Sequence, residues 1–449
     1  MKTRRVQLDA AKAGAYHDAD AAEWVRLSMG IGNSAPIGAA GDPAGFATPV
    51  DDAAYRRFYP YHAEICALSE LKKKPGIGVK LRSGMGGHCL LYLNGVQLDR
   101  AEGYPTLRLC APGASPGSHG AGISVNSHYK NANWIAAEGS DFLWTGAVEP
   151  GERLTPEGYA RTQCQAKAAG ILNGVEFHAH LFRDKPASMS DYDYMHEISI
   201  GTDYGARFGR DVYRARIALD HGRMAKIVDY LNDLNAPYRA EHKIFLWNVI
   251  NNNCVHIVHN ALAAAGIWPH WPTGQLVVRA AFKFPVPKNE FVDLALRAND
   301  LPIENMHAMY KDAAVRRTLF EDDALPTAPG ALVMAERAMP DNDIYDIDRL
   351  RLIFYDNPVW GPYRFRFARI LQEPRYSDLR SNLQHFAQRY AVALKRIGAA
   401  NGPDENSPSG EWAQFRLRYG KYIAREAAKV NLLLASLDAP AARLAEATL

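Results

Sequence analysis

At 449 residues the chain exceeds one ordinary domain, and 47% hydrophobic against 22% charged residues is the balance of a globular protein. Lys+Arg 52 against Asp+Glu 49 leaves a net charge of only +3, without the basic footprint that a nucleic-acid binder needs. Five cysteines (Cys66, Cys89, Cys110, Cys164, Cys254), odd in number, widely spaced and never in CxxC order, argue against a disulfide scaffold and a structural zinc site and fit a reducing compartment.

The N-terminal stretch MKTRRVQLDAAKAGAYHDADAAEW is basic but has no apolar core of a signal peptide, and no apolar run reaches the length of a membrane span. The expectation is a cytoplasmic protein with no integral membrane segment. Leaderless export, as used by secreted effectors, leaves no trace of this kind. Residues 1–75 mix Ala-rich helical stretches with Gly/Pro breaks and read as an irregular N-terminal arm.

Strand patterns follow. GHCLLYLNGVQLD predicts a two-residue β-hairpin turning at Asn94-Gly95, with YPTLRLCAP, GAGISVN and NANWIAAE as further short strands and APGASPGSHGAG as a surface loop. From Thr155 the period lengthens: EGYARTQCQAKAAGIL and DHGRMAKIVDYLNDLN predict amphipathic helices with the strand DVYRARIAL between them. CVHIVHNALAAAGI predicts a helix capped by the asparagines before it and ended at Gly266. Beyond Val286 the pattern is mainly helical and closes on LRSNLQHFAQRYAVALKRIG and WAQFRLRYGKYIAREAAKVNLLLASL. Strands and helices are partly segregated, so the expected class is α+β, with a catalytic core over residues 76–285 and a mainly helical C-terminal region over 286–449.

Cys254 stands in the first turn of its predicted helix, where free N–H groups and the helix dipole lower a thiol's pKa and can form an oxyanion hole. The competing explanation is an inert buried cysteine, the commoner fate of that residue type. His88 opens the first hairpin strand. In a two-residue hairpin Asp99 lies diagonal to it on the same face, where a carboxylate can orient an imidazole that accepts the thiol proton. A histidine at a strand edge is otherwise an ordinary surface or core residue. His128 and Asn126 in ISVNSHYKN, and His119 before them, compete for the supporting roles. His256 and His259, at i+2 and i+5 from Cys254, fall on other helix faces and read as structural. VHIVH is not HExxH, Asp191, Asp193 and Asp203 lack EF-hand spacing, and His178 and His180 form an HxH pair with no evident third ligand. Neither glycine-rich run fits a phosphate or dinucleotide loop.

The order GGHCLLYL early and NNNCVHIVHNAL late resembles the circularly permuted branch of the NlpC-type papain-like cysteine enzymes, in which a strand-borne histidine precedes a helix-borne cysteine. Asn253-Cys254-Val255-His256-Ile257 is similar to the Asn-Cys-Glu-His-Phe motif of the lecithin:retinol acyltransferase-like proteins in that branch. GISVNSHYKNANWIAA, DVYRARIALDHGRMAKIVDYL and FLWNVINNNC follow in the order of the Lnb-like domain, of lipoprotein N-acyltransferase type. The likeness spans about Val79 to Trp268. It implies a small antiparallel sheet packed on helices, Cys254 as nucleophile and His88 as base. The third, polar member varies within the family, so Asp99 rests on geometry and His128 is the reserve. No counterpart of the signal peptide and membrane helices of the Lnb-like enzymes is read in this sequence, so a membrane lipoprotein substrate is not expected to carry over, and none is recognised for the C-terminal third.

The resemblance implies thiolate attack on an acyl carbon and a thioester intermediate resolved by water or an amine, with no metal or bound organic cofactor. The expected partner is an acyl donor or a peptide-like substrate, and the oligomeric state is left open. Two alternatives stand beside the acyltransferase or acyl hydrolase: a peptidase or amidase, including an exported effector or toxin, and a non-catalytic binding protein on the same fold.

Overall fold

The computed structural model describes residues 52–79, 87–101, 104–112, 120–130, 134–241, 243–245, 247–248, 252–273, 286–348, 350, 363–399 and 410–438. The expected arm up to residue 51, His119, Asn251 and the loop 400–409 lie outside them.

In chain order the elements are α1 (Asp52–Phe58), β1 (His62–Leu68), β2 (His88–Asn94), β3 (Val96–Asp99), β4 (Thr106–Leu109), β5 (Gly120–Ser124) and β6 (Ile135–Glu138). There follow α2 (Ser140–Thr145), α3 (Pro156–Ala168), α4 (Asp191–Ser199), β7 (Val212–Ala218), α5 (His221–Glu241), α6 (Cys254–Ala264) and α7 (Pro287–Asp300). The last are α8 (Met306–Lys311), α9 (Ala313–Asp322), β8 (Val333–Glu336), α10 (Tyr363–Gln372), α11 (Pro374–Ser377), α12 (Leu379–Ala399) and α13 (Gly410–Asp438). The fold is α+β with a helical C-terminal region. None of the helices among the described residues is long and apolar enough to cross a membrane.

Six strands form one antiparallel sheet in the order β6-β5-β2-β1-β7-β8. Two of its strands come from outside the expected core. β1, from the segment read as an arm, lies between β2 and β7, and β8 comes from the segment read as helical. HAEICAL carries Glu64 between apolar neighbours and lacks the flanking turn signals that mark a strand, yet all seven residues are buried.

The expected β2–β3 hairpin does not form. β2 is already paired on both edges, with β1 and β5, so β3 pairs with β4 in a separate two-stranded sheet. Gly95 makes the exit at φ +83, a left-handed conformation favoured by glycine, with its would-be Cβ against the Tyr61 ring and the Pro60 carbonyl.

Period-2 alternation gives the large sheet two different faces. Cys89, Leu91, Leu93, Ile65 and Ile123 face α5, α6 and α7 in one core. Leu90, Tyr92, Cys66 and Leu68 face α2 and a 3-10 turn at Ala206–Phe208. Each fully buried leucine or isoleucine contributes about 1.5–3 kcal/mol, so the first face dominates the anchoring of α6. On the second face β7 carries Arg214 and Arg216, both buried, against Glu64 of β1. A further aromatic core gathers α3, α4 and Tyr345, and α12 and α13 pack with α8, α9 and α1 in a core of their own.

Candidate active site

The site lies where β2 begins and α6 begins. Asn253 caps α6: its Oδ1 accepts the Val255 N–H at 2.9 Å and the His256 N–H at 3.2 Å, while His256 Nδ1 accepts the Asn253 N–H at 3.3 Å. His256 is thereby a cap partner. His259, one turn on, is held between Glu290 Oε1 at 2.6 Å and the Pro269 carbonyl at 3.0 Å, with its ring stacked on Trp268 and Trp271. Both rings are thus engaged in contacts with the cap and with neighbouring elements.

Cys254 is the first helical residue and is partly exposed. Burial of its thiol pushes the pKa up to about 11, against the pull of main-chain hydrogen bonds from Cys89, Val255 and Cys254 itself and of the Lys288 ammonium. The expected lowering by the helix start is therefore present but outweighed by desolvation, and the resting sulfur is a thiol. The Cys89 contact brings the sulfur to the residue that follows His88.

His88 leaves β2 on the other face of the sheet. The register Leu90↔Ser124 sets Ser124 of β5 diagonal to it, and His88 Nε2 meets Ser124 Oγ at 2.8 Å. Ser124 Oγ donates in turn to Asp203 Oδ1 at 2.5 Å, which also accepts from Asn126 Nδ2 at 2.9 Å. With its only proton committed to Asp203, the Ser124 oxygen accepts from His88 Nε2–H, which leaves Nδ1 as the basic nitrogen of the neutral ring. Among the described residues Nδ1 has no hydrogen-bond partner. Burial first, then Arg210, His128 and Lys288, hold the His88 pKa well below the usual histidine range. Burial raises Asp203 to about 6, while Ser124, Tyr129, Ser199 and Asn126 oppose the rise.

Asp99 does not take the orienting place. With β3 paired to β4 it stands opposite Thr106, and its Oδ1 accepts the Ala101 N–H in a surface turn. The reserve, His128, is half-buried near His88, stacked on Phe177 at 6.2 Å, with no hydrogen-bond partner for Nδ1 among the described residues. Burial and then His180 and His178 push it down to about 4. His178 and His180 lie at a 3-10 turn rather than on one face of a strand, and no group of three or more His, Cys, Asp or Glu among the described residues is arranged to hold a metal ion.

The structure thus brings Cys254 to the Cys89 main chain and His88 to Ser124, Asp203 and Asn126. His88 and Cys254 share no hydrogen bond among the described residues. Sequence reasoning gave no place here to Ser124, Arg210 or Lys288, and it weighed Asp203 only as a calcium ligand and set it aside. Ser124 had a signal, since it lies two residues before Asn126 in ISVN and so shares its sheet face. Asp203 and Lys288 reach the site through turns and long connections that have no local signature. Comparison with known proteins adds no relative: no family model, no curated protein and no solved structure matches the chain.

Proposed function

We propose that this chain is a cysteine-dependent acyl-transfer enzyme on a permuted papain-like core, with Cys254 as nucleophile and His88 as base. The observation that carries the reading is the chain His88–Ser124–Asp203, which fixes one tautomer and presents Nδ1 as the proton acceptor. In the reaction Nδ1 takes the thiol proton and the sulfur attacks the acyl carbon. The N–H groups of Cys254 and Cys89 receive the oxyanion, and the leaving group departs with the proton from His88. Water or an amine then attacks the thioester with His88 again as base, and the thiol is restored. Asp203 replaces Asp99 as the member that orients the base, acting through Ser124.

The raised thiol pKa favours a second reading, an inert cysteine in a binding protein on the same fold. Intact mass separates the two. The protein is incubated with an octanoyl p-nitrophenyl ester, an octanoyl thioester and a fluorogenic peptide amide, each against Cys254→Ala and His88→Ala. The acyl-transfer reading expects an octanoyl adduct that is lost in both variants, and peptide turnover without an ester adduct would reassign the chain to the peptidases. Absence of any adduct or turnover, with Cys254 alkylation unaffected by His88→Ala, leaves the binding protein.

A further inference from the structure

We propose that Lys288 is a positioning residue for Cys254: its ammonium holds the negative charge of the sulfur once the thiol proton has left. The inference rests on the reading of Cys254 as the nucleophile. Lys288 is the second residue of α7, directly after Pro287, and is 0% exposed. Its Nζ donates to the carbonyl of Leu68 at 2.6 Å. Leu68 ends β1 and pairs with His88, so the ammonium is fixed at the same end of the sheet as the base.

The seat is built on both sides. Gly87, immediately before His88, has φ +73, and a Cβ there would overlap both Lys288 Nζ and the Leu68 carbonyl. A glycine at this position makes room for the ammonium. A buried ammonium is costly unless hydrogen bonds and opposite charge face it.

The groups that face the ammonium are known. Burial first and then Arg210 push the Lys288 pKa down to about 7, while Cys89, Cys254 and Glu70 pull it back up. In return Lys288 draws down both Cys254 and His88. Arg210 is fully engaged with carbonyls of Gly201 and Ser69 and with the Thr202 hydroxyl, so it adds a fixed positive charge that does not titrate near neutrality. Burial and Arg210 thus leave Lys288 a lysine that gives up its proton far more readily than an ordinary one.

Balance is simple. His88 Nδ1 takes the proton from sulfur, the S–H bond pair stays on sulfur, and the Lys288 ammonium faces the new thiolate without transferring a proton.

Alkylation of Cys254 tests this without any substrate. The pH profile of the iodoacetamide rate is measured by peptide mass mapping in the full chain and in Lys288→Met and Lys288→Arg. Loss of the charge is expected to raise the thiol pKa by one unit or more, which slows alkylation at pH 7 about tenfold, and Arg is expected to restore most of it. Should Lys288→Met not fold, the wild-type protein supplies the measurement. Iodoacetate carries a negative charge and iodoacetamide none, so a local cation raises their rate ratio at Cys254 above that at the exposed Cys164. That excess is expected to decline as Lys288 loses its proton above about pH 7, on top of a constant share from Arg210.

A folded Lys288→Met with an unchanged profile, or an iodoacetate excess that does not decline with pH, overturns the proposal. The outcomes for the enzyme reading are separate. A chain that forms no acyl adduct but shows the Lys288 effect keeps the charge pairing and loses the acyl-transfer function. Adduct formation without the effect does the reverse.

Discussion

Glu64→Gln probes the frame on which the site is hung. Glu64 is buried in β1 with Oε1 at 2.8 Å from Arg216 and Oε2 at 3.3 Å from Arg214, and His62 Nε2 stands 3.3 Å from Oε1. Arg214 has a second carboxylate, Glu336, at 2.8 Å, and the Arg216 guanidinium lies over the Tyr55 ring at 4.4 Å. Two buried cations thus meet two carboxylates, and the substitution leaves two cations to one. Breaking a buried pair in this way costs about 3–5 kcal/mol. At roughly 2–4 °C per kcal/mol the melting temperature should fall by roughly 6–20 °C. The pH dependence has a definite sign. Burial alone would raise the Glu64 pKa, but Arg216 and then Arg214 hold it well below the usual carboxylate range. Its stabilisation is therefore complete above the unfolded value of about 4.3 and is lost as pH falls towards the depressed folded value, so the variant should lose less stability in acid than wild type. Replacing the partners together, Glu64→Met with Arg216→Met, leaves Arg214 with Glu336 and should recover much of the loss. Thermal and denaturant unfolding between about pH 3 and 7 read both effects. A Glu64→Gln midpoint within about 2 °C of wild type, with the same acid limb, would refute the charge argument.

Asp203→Asn should change the pH profile in the opposite direction. Burial raises the folded pKa to about 6, so the folded state binds more protons than the unfolded one and wild-type stability falls as pH rises from about 4 to 6, by about 2–3 kcal/mol. The variant should be flat over that window in denaturant titrations, and acyl-adduct formation should slow because the anchor of Ser124 and His88 is weakened. Gly87→Ala should cost about 2–4 kcal/mol in unfolding experiments, since it adds a left-handed backbone penalty to overlap with the Leu68 carbonyl and Lys288. Its Cys254 alkylation profile should move in the direction of Lys288→Met. A stable Gly87→Ala with a wild-type profile would remove the glycine seat from the account.

Local chemistry made the start of α6 legible. Asn253 accepts the N–H groups that precede the first helical hydrogen bonds, so a cap at this asparagine, and hence Cys254 in the first turn, follows from neighbours within three residues. Strand periodicity was equally readable in DVYRARIAL, but alternation alone does not say whether a polar face meets water or, as for Arg214 and Arg216, a carboxylate on the next strand. Asp99 shows the same limit at greater cost. Asn94-Gly95 is a sound turn signal, yet whether the chain returns to β2 depends on whether the edge of β2 is free, and β5, which begins only at Gly120, occupies it. Lys288 lies two hundred residues from Gly87 and has no pattern that would point to it. Charge burial is decided by tertiary packing, and a lysine in PVPKNEF reads like any solvated side chain.

The geometry of alternation also fixes where a thiol and an imidazole from these two elements can work together. Cys89 and Leu91 face α6, while His88 and Leu90 face away from it. A base further along β2 on the His88 face would be separated from Cys254 by the sheet itself. His88, the first residue of the strand, is anchored by Ser124 behind the sheet, while the N–H of the next residue, Cys89, reaches sulfur on the other side. The Lys288 ammonium meets the same end of the sheet, donating to the Leu68 carbonyl where a Cβ on Gly87 would otherwise stand. Moving the histidine one place inward, His88→Ala with Cys89→His, would turn the imidazole to the α6 face, where it takes the buried place of the Cys89 side chain and loses Ser124. The physical expectation is a folded but strained variant whose histidine, though nearer the helix, restores none of the pH dependence of Cys254 alkylation that the proposed pairing with His88 predicts. Recovery of the wild-type profile in that double variant would show that proximity alone suffices and that the Ser124–Asp203 anchor is dispensable.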